Sequence, residues 1–360
     1  GGMVLPGLSS MEIYDEETHK LTYDLTVDSM KSLKKVVDST GMDCDLNLGG
    51  YCYTIRDEDD LPHRKAYVEQ VKKMGMPLEF WDKDRTADEL GTEYYYGAMY
   101  DPNGGRVHAM KLVRALKYAA EQAGVQIYEN SQVTGIEEGE TIRLTVGENE
   151  NTVLAKTIVI ATNGYTSKLG YFKYQVMPAH VQCAVTPPLS KKQLSQMGWE
   201  SGLPFFDSRK LLYHLVLTAD SRIVIGGGSG EYFFRNDLHY GGDLDKIGAM
   251  MLGELMQIYP TLKGIQFEQV WDGILGISYD RVESVGVTGK HKNIYYGLAY
   301  NGHGINPSFM FGNIISSMYN GASHRWEKIA CYNYPLPYIP PEPFKWIGVQ
   351  GVMKYYQWLD

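Results

Sequence analysis

The stretch from Asn293 to Tyr319 constrains this chain more than any other. Asn293 to Leu298 reads as a short apolar strand, and Ser308 to Tyr319 as a helix beginning near Pro307, a favoured first helical position. Between them the turn Asn301-Gly302-His303-Gly304-Ile305 is built largely from small residues. A strand that runs straight into a helix belongs to an α/β architecture. The first turn of such a helix presents free N–H groups and a positive dipole end, suited to an anionic or electron-rich ligand atom. Gly302 and Gly304 would let that ligand approach the backbone. A plain strand–helix turn explains the same residues equally well.

A second strand exit follows the same logic. Thr157 to Ala161 is a continuous apolar run of the kind parallel sheets bury, and it opens into Thr162-Asn163-Gly164-Tyr165. Ligands in open α/β sheets sit at the carboxyl ends of strands, although an ordinary loop accounts for this turn too. Val224-Ile225-Gly226-Gly227-Gly228-Ser229-Gly230 lacks the Lys-Ser/Thr of a phosphate loop and reads as a strand end packed closely on a neighbour. Trp271-Asp272-Gly273 with Asp280 forms a less specific group. His108, His214 and His303 occupy suggestive places, but a lone histidine is more often structural than catalytic.

Elsewhere two textures alternate. Helices are expected over 22–38, from about Asp60 to Lys73, over Met110–Gln122 with Leu112, Val113, Leu116 and Ala120 inward, and over Ile247–Tyr259. Residues 1–10 read as a glycine-bearing loop. Strands are expected at 46–56, at 94–107 around the Asp101-Pro102-Asn103-Gly104 turn, at Val125–Tyr128, and through much of 180–270. The folded part is expected to end near Tyr319.

With 360 residues, 44% of them apolar, the chain can bury a large core in more than one lobe. Its charge of −9, without clustered bases, argues against nucleic acid. No apolar run approaches the length of a membrane span. The four cysteines show no metal spacing, which fits a reduced cytosolic setting with free thiols. Gly1-Gly2-Met3 carries no leader pattern and is expected to be an internal point of a longer chain.

In order and spacing these segments resemble the D-amino-acid oxidase/glycine oxidase superfamily of FAD-dependent oxidoreductases, and most nearly its gamma-glutamylputrescine oxidase-like branch. The matching pieces are Gly1-Gly2-Met3, Gly104 to His108, Ile158 to Tyr165, Trp271-Asp272-Gly273 with Asp280, Gly302 to Ile305, and Ile339 to Pro343. The resemblance implies an α/β fold. A Rossmann-like FAD-binding lobe (1–10, 105–180, 271–330), incomplete in these residues, would interleave with an antiparallel-sheet substrate lobe (11–104, 181–270), and 331–360 would form a C-terminal tail. It implies FAD held non-covalently by Gly1, Gly2, Met3, Val133, Ala161, Thr162, Asn163, Gly273, Gly302, His303, Gly304 and Ile305. It also implies a small amine or amino acid oxidised to an imine, with electrons passed to oxygen or another acceptor.

Tyr51, Tyr53, Tyr213 and His214 are expected to wall the substrate. At Gly304, the backbone is expected to meet the flavin, so that a larger residue would clash or strain the chain. The G-x-G-x-x-G turn is absent from these residues, and relatives would place it upstream of Gly1. Alone, the 360 residues are therefore expected to hold FAD weakly. Glu283 and Ala109 stand where relatives often have proline, and Val224 where sarcosine-oxidase-like members carry a lysine. A different class of reading is a flavin-free product that only binds a ligand or partner.

Overall fold

The computed structural model describes residues 1–8, 14–322 and 324–360. The first part of the chain forms strand β1 (Met3–Val4), helix α1 (Glu16–Thr40), β2 (Tyr51–Ile55), α2 (Leu61–Lys73), β3 (Glu79–Trp81), α3 (Lys83–Leu90), β4 (Gly97–Asp101), β5 (Gly105–Arg106) and α4 (Ala109–Gln122). The middle forms β6 (Val133–Glu137), β7 (Ile142–Val146), β8 (Asn151–Ala155), β9 (Ile158–Ile160), β10 (Met177–Val185), α5 (Lys191–Met197), β11 (Phe205–Asp207), β12 (Tyr213–Leu217) and β13 (Ile223–Gly227). Then come α6 (Leu244–Ile258), β14 (Gln269–Ile277), β15 (Ser284–Thr288), β16 (Ile294–Leu298), α7 (Ile305–Tyr319) and α8 (Phe344–Leu359).

Eight strands make one large sheet in the order β14-β10-β13-β12-β11-β2-β4-β3, antiparallel except for the parallel pair β11–β2. Strand β14 pairs with β10 over its whole length, so the lobe boundary expected at residue 271 falls inside a strand of this sheet. A three-stranded mixed sheet, β15-β16-β9, holds the parallel pair β9–β16. Smaller antiparallel sheets join β6-β7-β8 and β1-β5.

Period-two alternation divides the large sheet into two faces. Cys52, Phe205, Tyr213, Leu215, Ile223 and Ile225 point into the main core under Met251, Leu255 and Ile258 of α6. Met99 lies on the opposite face, in a second core built with Tyr23 of α1 and with Met310, Phe311 and Ile314 of α7.

Helix α1 begins at Glu16 rather than at residue 22. The Asp15 carboxylate caps it by accepting from the Thr18 N–H at 2.9 Å, and Gly41 in the left-handed region ends it. Residues 9 and 10 of the expected opening loop lie outside the described residues. Val125 to Tyr128 is not a strand: it is exposed and pairs with no strand among the described residues. Alternation supplies a face but not a partner. On α4 the inward stripe is Leu112 and Ala115, while Val113 is exposed. The expected tail contains α8, a full helix. All four cysteines are buried free thiols, and among the described residues no helix is long and apolar enough to cross a membrane.

Candidate functional site

The large sheet aligns Met99, Tyr53, Phe206, His214, Gly226, Cys183 and Trp271 in one transverse row, each the cross-strand partner of the next. Directly paired residues share a face, and Tyr51, two residues from Tyr53, lies on it too. The Phe206 ring stacks 6.0 Å from Tyr51 and meets Tyr53 edge-on at 5.1 Å. Tyr213 is not part of this wall. Being adjacent to His214 in a strand it points to the other face, buried in the main core with the Arg209 guanidinium 4.6 Å over its ring. Three of the four expected wall residues therefore share a surface, and the fourth does not. Phe206 was missed, because alternation does not reveal which of two adjacent phenylalanines faces the site, and Cys183 was missed too, whereas Gly226 was expected as a strand end packed closely on a neighbour and meets His214.

Glycine shapes the floor of the row. A Cβ on Gly226 would overlap the His214 imidazole and lie 2.6 Å from Cys183 Sγ, while one on Gly1 would overlap His214 Nε2 from above. Among the described residues, His214 Nε2 is buried without a hydrogen-bond partner. Burial lowers the imidazole pKa to about 3, so His214 is neutral near pH 7. Beside Tyr51 stands Asp101, whose carboxylate accepts from Tyr23 Oη at 3.0 Å and from the Asn103 N–H at 2.8 Å. Burial pushes it up to about 7. In the sequence Asp101 looked only like a turn residue.

Two backbone segments face the wall. Gly2, at φ +81°, accepts from the Val107 N–H at 2.8 Å, and Met3 pairs with Arg106 in the β1–β5 ribbon. His303 lies 6.4 Å from Phe206, ring to ring, and burial lowers its pKa to about 4. Gly302 has φ +102°, a conformation that favours glycine. Gly304 does not: its φ of −62° and ψ of −22° are ordinary, and a Cβ there would touch only the Tyr300 side chain at 3.5 Å. The expected backbone strain at Gly304 is absent. Helix α7 starts at Ile305, and the N–H groups of Ile305 and Asn306 have no backbone acceptor among the described residues. Asn306 Nδ2 ties this turn to the carbonyls of Leu5 and Thr26, at 2.9 and 3.0 Å.

The two strand exits meet, because β9 and β16 are parallel neighbours. Asn163 Oδ1 accepts from the Ala299 N–H at 3.1 Å, and the Asn301 N–H donates to the Gly276 carbonyl at 3.2 Å. Asn301 Oδ1 accepts from the Ser278 N–H, leaving Asn301 Nδ2 buried and without a partner among the described residues. Ala161 and Thr162 are exposed beside this node. Gly273 lies in β14 opposite Val181, whereas Val133 begins β6 in a separate sheet.

These features fit the ring end of a flavin. The left-handed glycines at 2 and 302 keep the backbone bare, the free N–H groups of α7 suit an electron-rich ring edge, and Asn301 Nδ2 is a spare donor nearby.

Residues 1–318 match the family described as FAD dependent oxidoreductase (DAO). The gamma-glutamylputrescine oxidoreductase of Escherichia coli (strain K12) is 26% identical over 329 residues, 90% of this chain and 74% of that protein. Glycine oxidase from Geobacillus kaustophilus superposes with a TM-score of 0.73 at 19% identity, covering 89% of this chain and 83% of the other. L-proline dehydrogenase from P. horikoshii superposes with 0.75 at 16% identity, covering 92% and 86%. The chain belongs to the DAO family of FAD-dependent oxidoreductases.

Proposed function

We propose that this protein oxidises a small primary or secondary amine to an imine, using non-covalently bound FAD. The observation that carries the reading is the chemistry of the wall. From Met99 to Trp271 the transverse row holds aromatic, small and sulfur-bearing residues, with His214 as its only titratable nitrogen. The row itself holds no lysine or arginine, the Arg64 guanidinium that lies 4.9 Å over the Tyr53 ring is engaged by the Asp60 carboxylate at 2.7 Å, and the ring faces suit an aliphatic amine. The 26% identity to a gamma-glutamylputrescine oxidoreductase points the same way.

A bound FAD would supply the acceptor for the two electrons and two protons lost when the amine becomes an imine, which water would then hydrolyse. The chain's own residues position and desolvate. Tyr51, Tyr53 and Phe206 form the hydrophobic wall. His214, neutral and buried against Gly1, packs as part of the wall. Gly1, Gly2, Gly302, His303, Gly304 and Ile305 would border the ring, with Met3, Asn163 and Gly273 behind them; Ala161, Thr162 and Val133 are proposed along the rest of the cofactor.

Anaerobic mixing of flavin-loaded protein with a panel of amines, amino acids, hydroxy acids and aldehydes tests the proposal. Bleaching of the flavin absorbance by polyamine derivatives ahead of amino acids is expected. If only hydroxy acids or aldehydes bleach it, the reaction class is wrong, and a preparation extended upstream of Gly1 that still binds no flavin favours a ligand-binding module.

A further inference from the structure

Helix α8 carries its apolar side outward. Phe344, Ile347, Gly351, Tyr355 and Trp358 succeed one another at three- and four-residue steps and so share one face. That face is open: Phe344 is 69% exposed, Tyr355 55% and Trp358 78%. A helix on a protein surface ordinarily turns such residues toward the core.

What holds α8 in place is polar and sits at its two ends. Buried Lys345 donates from Nζ to Asn236 Oδ1 at 2.7 Å and lies 3.7 Å from the Glu342 carboxylate. At the other end the Asp360 carboxylate accepts from the N–H groups of Lys210 and Leu211, at 2.8 and 2.7 Å. Between these pins only Val349, Gln350, Met353 and Tyr356 are half-buried.

Charge selects the occupant of the outward face, because the surroundings of α8 are basic on a chain of net charge −9. Lys354 flanks the face on the helix itself, and Lys210 and Arg235, whose N–H groups bond the Asp360 and Glu342 carboxylates, are exposed at its two ends, as is Lys173, while Glu342 and Asp360 are engaged by the pins. Asp237 is the exposed acid nearby, and it accepts from the His239 N–H.

We infer that α8 is an interfacial anchor that lies flat on a bilayer containing anionic lipid. Phe344, Ile347, Tyr355 and Trp358 enter the boundary between headgroups and acyl chains, and the four cations face lipid phosphates. At 16 residues the helix rests on the membrane and does not cross it.

Sedimentation of the full chain with vesicles of phosphatidylcholine, with and without phosphatidylglycerol, tests this independently of any flavin chemistry. The chain should pellet with the phosphatidylglycerol vesicles. Ile347→Ser/Trp358→Ser should reduce pelleting roughly tenfold or more, and Lys173→Glu/Lys354→Glu or high salt should weaken it. The substituted positions are exposed, so far-UV spectra and thermal midpoints should stay near wild type. Failure to pellet with either vesicle overturns the inference, as does pelleting that the serine pair leaves unchanged. A vesicle-free dimer that the serine pair converts to monomer also overturns it, by making a second copy the occupant.

Discussion

The imidazole of His214 rests on the backbone of Gly226, its partner across the β12–β13 ladder. Gly1 also lies against the Cε1–Nε2 edge of the ring, so a methyl group on Gly226 leaves the imidazole little room to escape. Gly226→Ala is expected to cost about 1–3 kcal/mol of stability and to slow amine oxidation by roughly one to two orders of magnitude. Gly253→Ala on α6 is the control: a Cβ there meets nothing within 4 Å, and a gain of up to about 1 kcal/mol is expected. Thermal midpoints of both variants and turnover of the first decide the matter. A Gly226→Ala enzyme of normal stability and rate would refute the steric role.

Two groups on this face make stability depend on pH in opposite senses. The His214 pKa is lowered in the fold to about 3, so the stability its neutral ring represents is present above its ordinary value of 6.5 and is lost as pH falls toward 3. Asp101 is raised to about 7, so its contribution is present below its ordinary value of 3.8 and is lost as pH rises through 7. His214→Gln should therefore flatten the acid limb of a urea-midpoint profile. Asp101→Asn should flatten the limb from about pH 4 to 7 and raise the midpoint at pH 8, an effect on the order of a few kcal/mol. Limbs unchanged in both variants would rule these groups out.

Gly302 and Gly304 should respond differently to enlargement. Gly302 occupies φ +102°, so Gly302→Ala is expected to lower stability by about 1 kcal/mol or more with or without flavin. At Gly304 the protein itself leaves room, so Gly304→Val should keep a thermal midpoint close to wild type and still lose flavin, if the ring lies against this turn. Flavin content measured beside the midpoint separates the two. A flavin-replete, active Gly304→Val variant would mean that the ring lies elsewhere.

Val224 lies half-buried on β13, two residues before Gly226 and on the same face. It places no fixed positive charge near the proposed ring, so slow reoxidation by oxygen is expected. Val224→Lys should accelerate that step by roughly two to three orders of magnitude in stopped-flow measurements. Rapid reoxidation of the unmodified protein would show that oxygen is activated by another route.

The sequence alone determined the local elements whose causes are local. The strand at Ile158–Ile160, the strand–turn–helix from Ile294 through Tyr319, and the glycine-rich end of β13 follow from neighbouring residues, because propensity, capping and steric freedom act over a few positions. The burial expected of the first did not follow, because that strand lies at a sheet edge and leaves Val159 exposed while Ile160 is buried. Order and spacing of these pieces also made the family legible before any coordinates. Tertiary structure decided what depends on a partner. Strand phase sent His214 to the wall and its neighbour Tyr213 into the core, since a one-residue step reverses the face and only the paired sheet sets the phase. Val125 to Tyr128 alternates like a strand yet finds no ladder, and Gly304 has ordinary torsions that no composition reveals. The outward apolar face of α8 was equally hidden: periodicity shows that a helix has two sides, whereas its orientation here is set by Lys345 and Asp360, pinned to residues more than a hundred positions away in the chain.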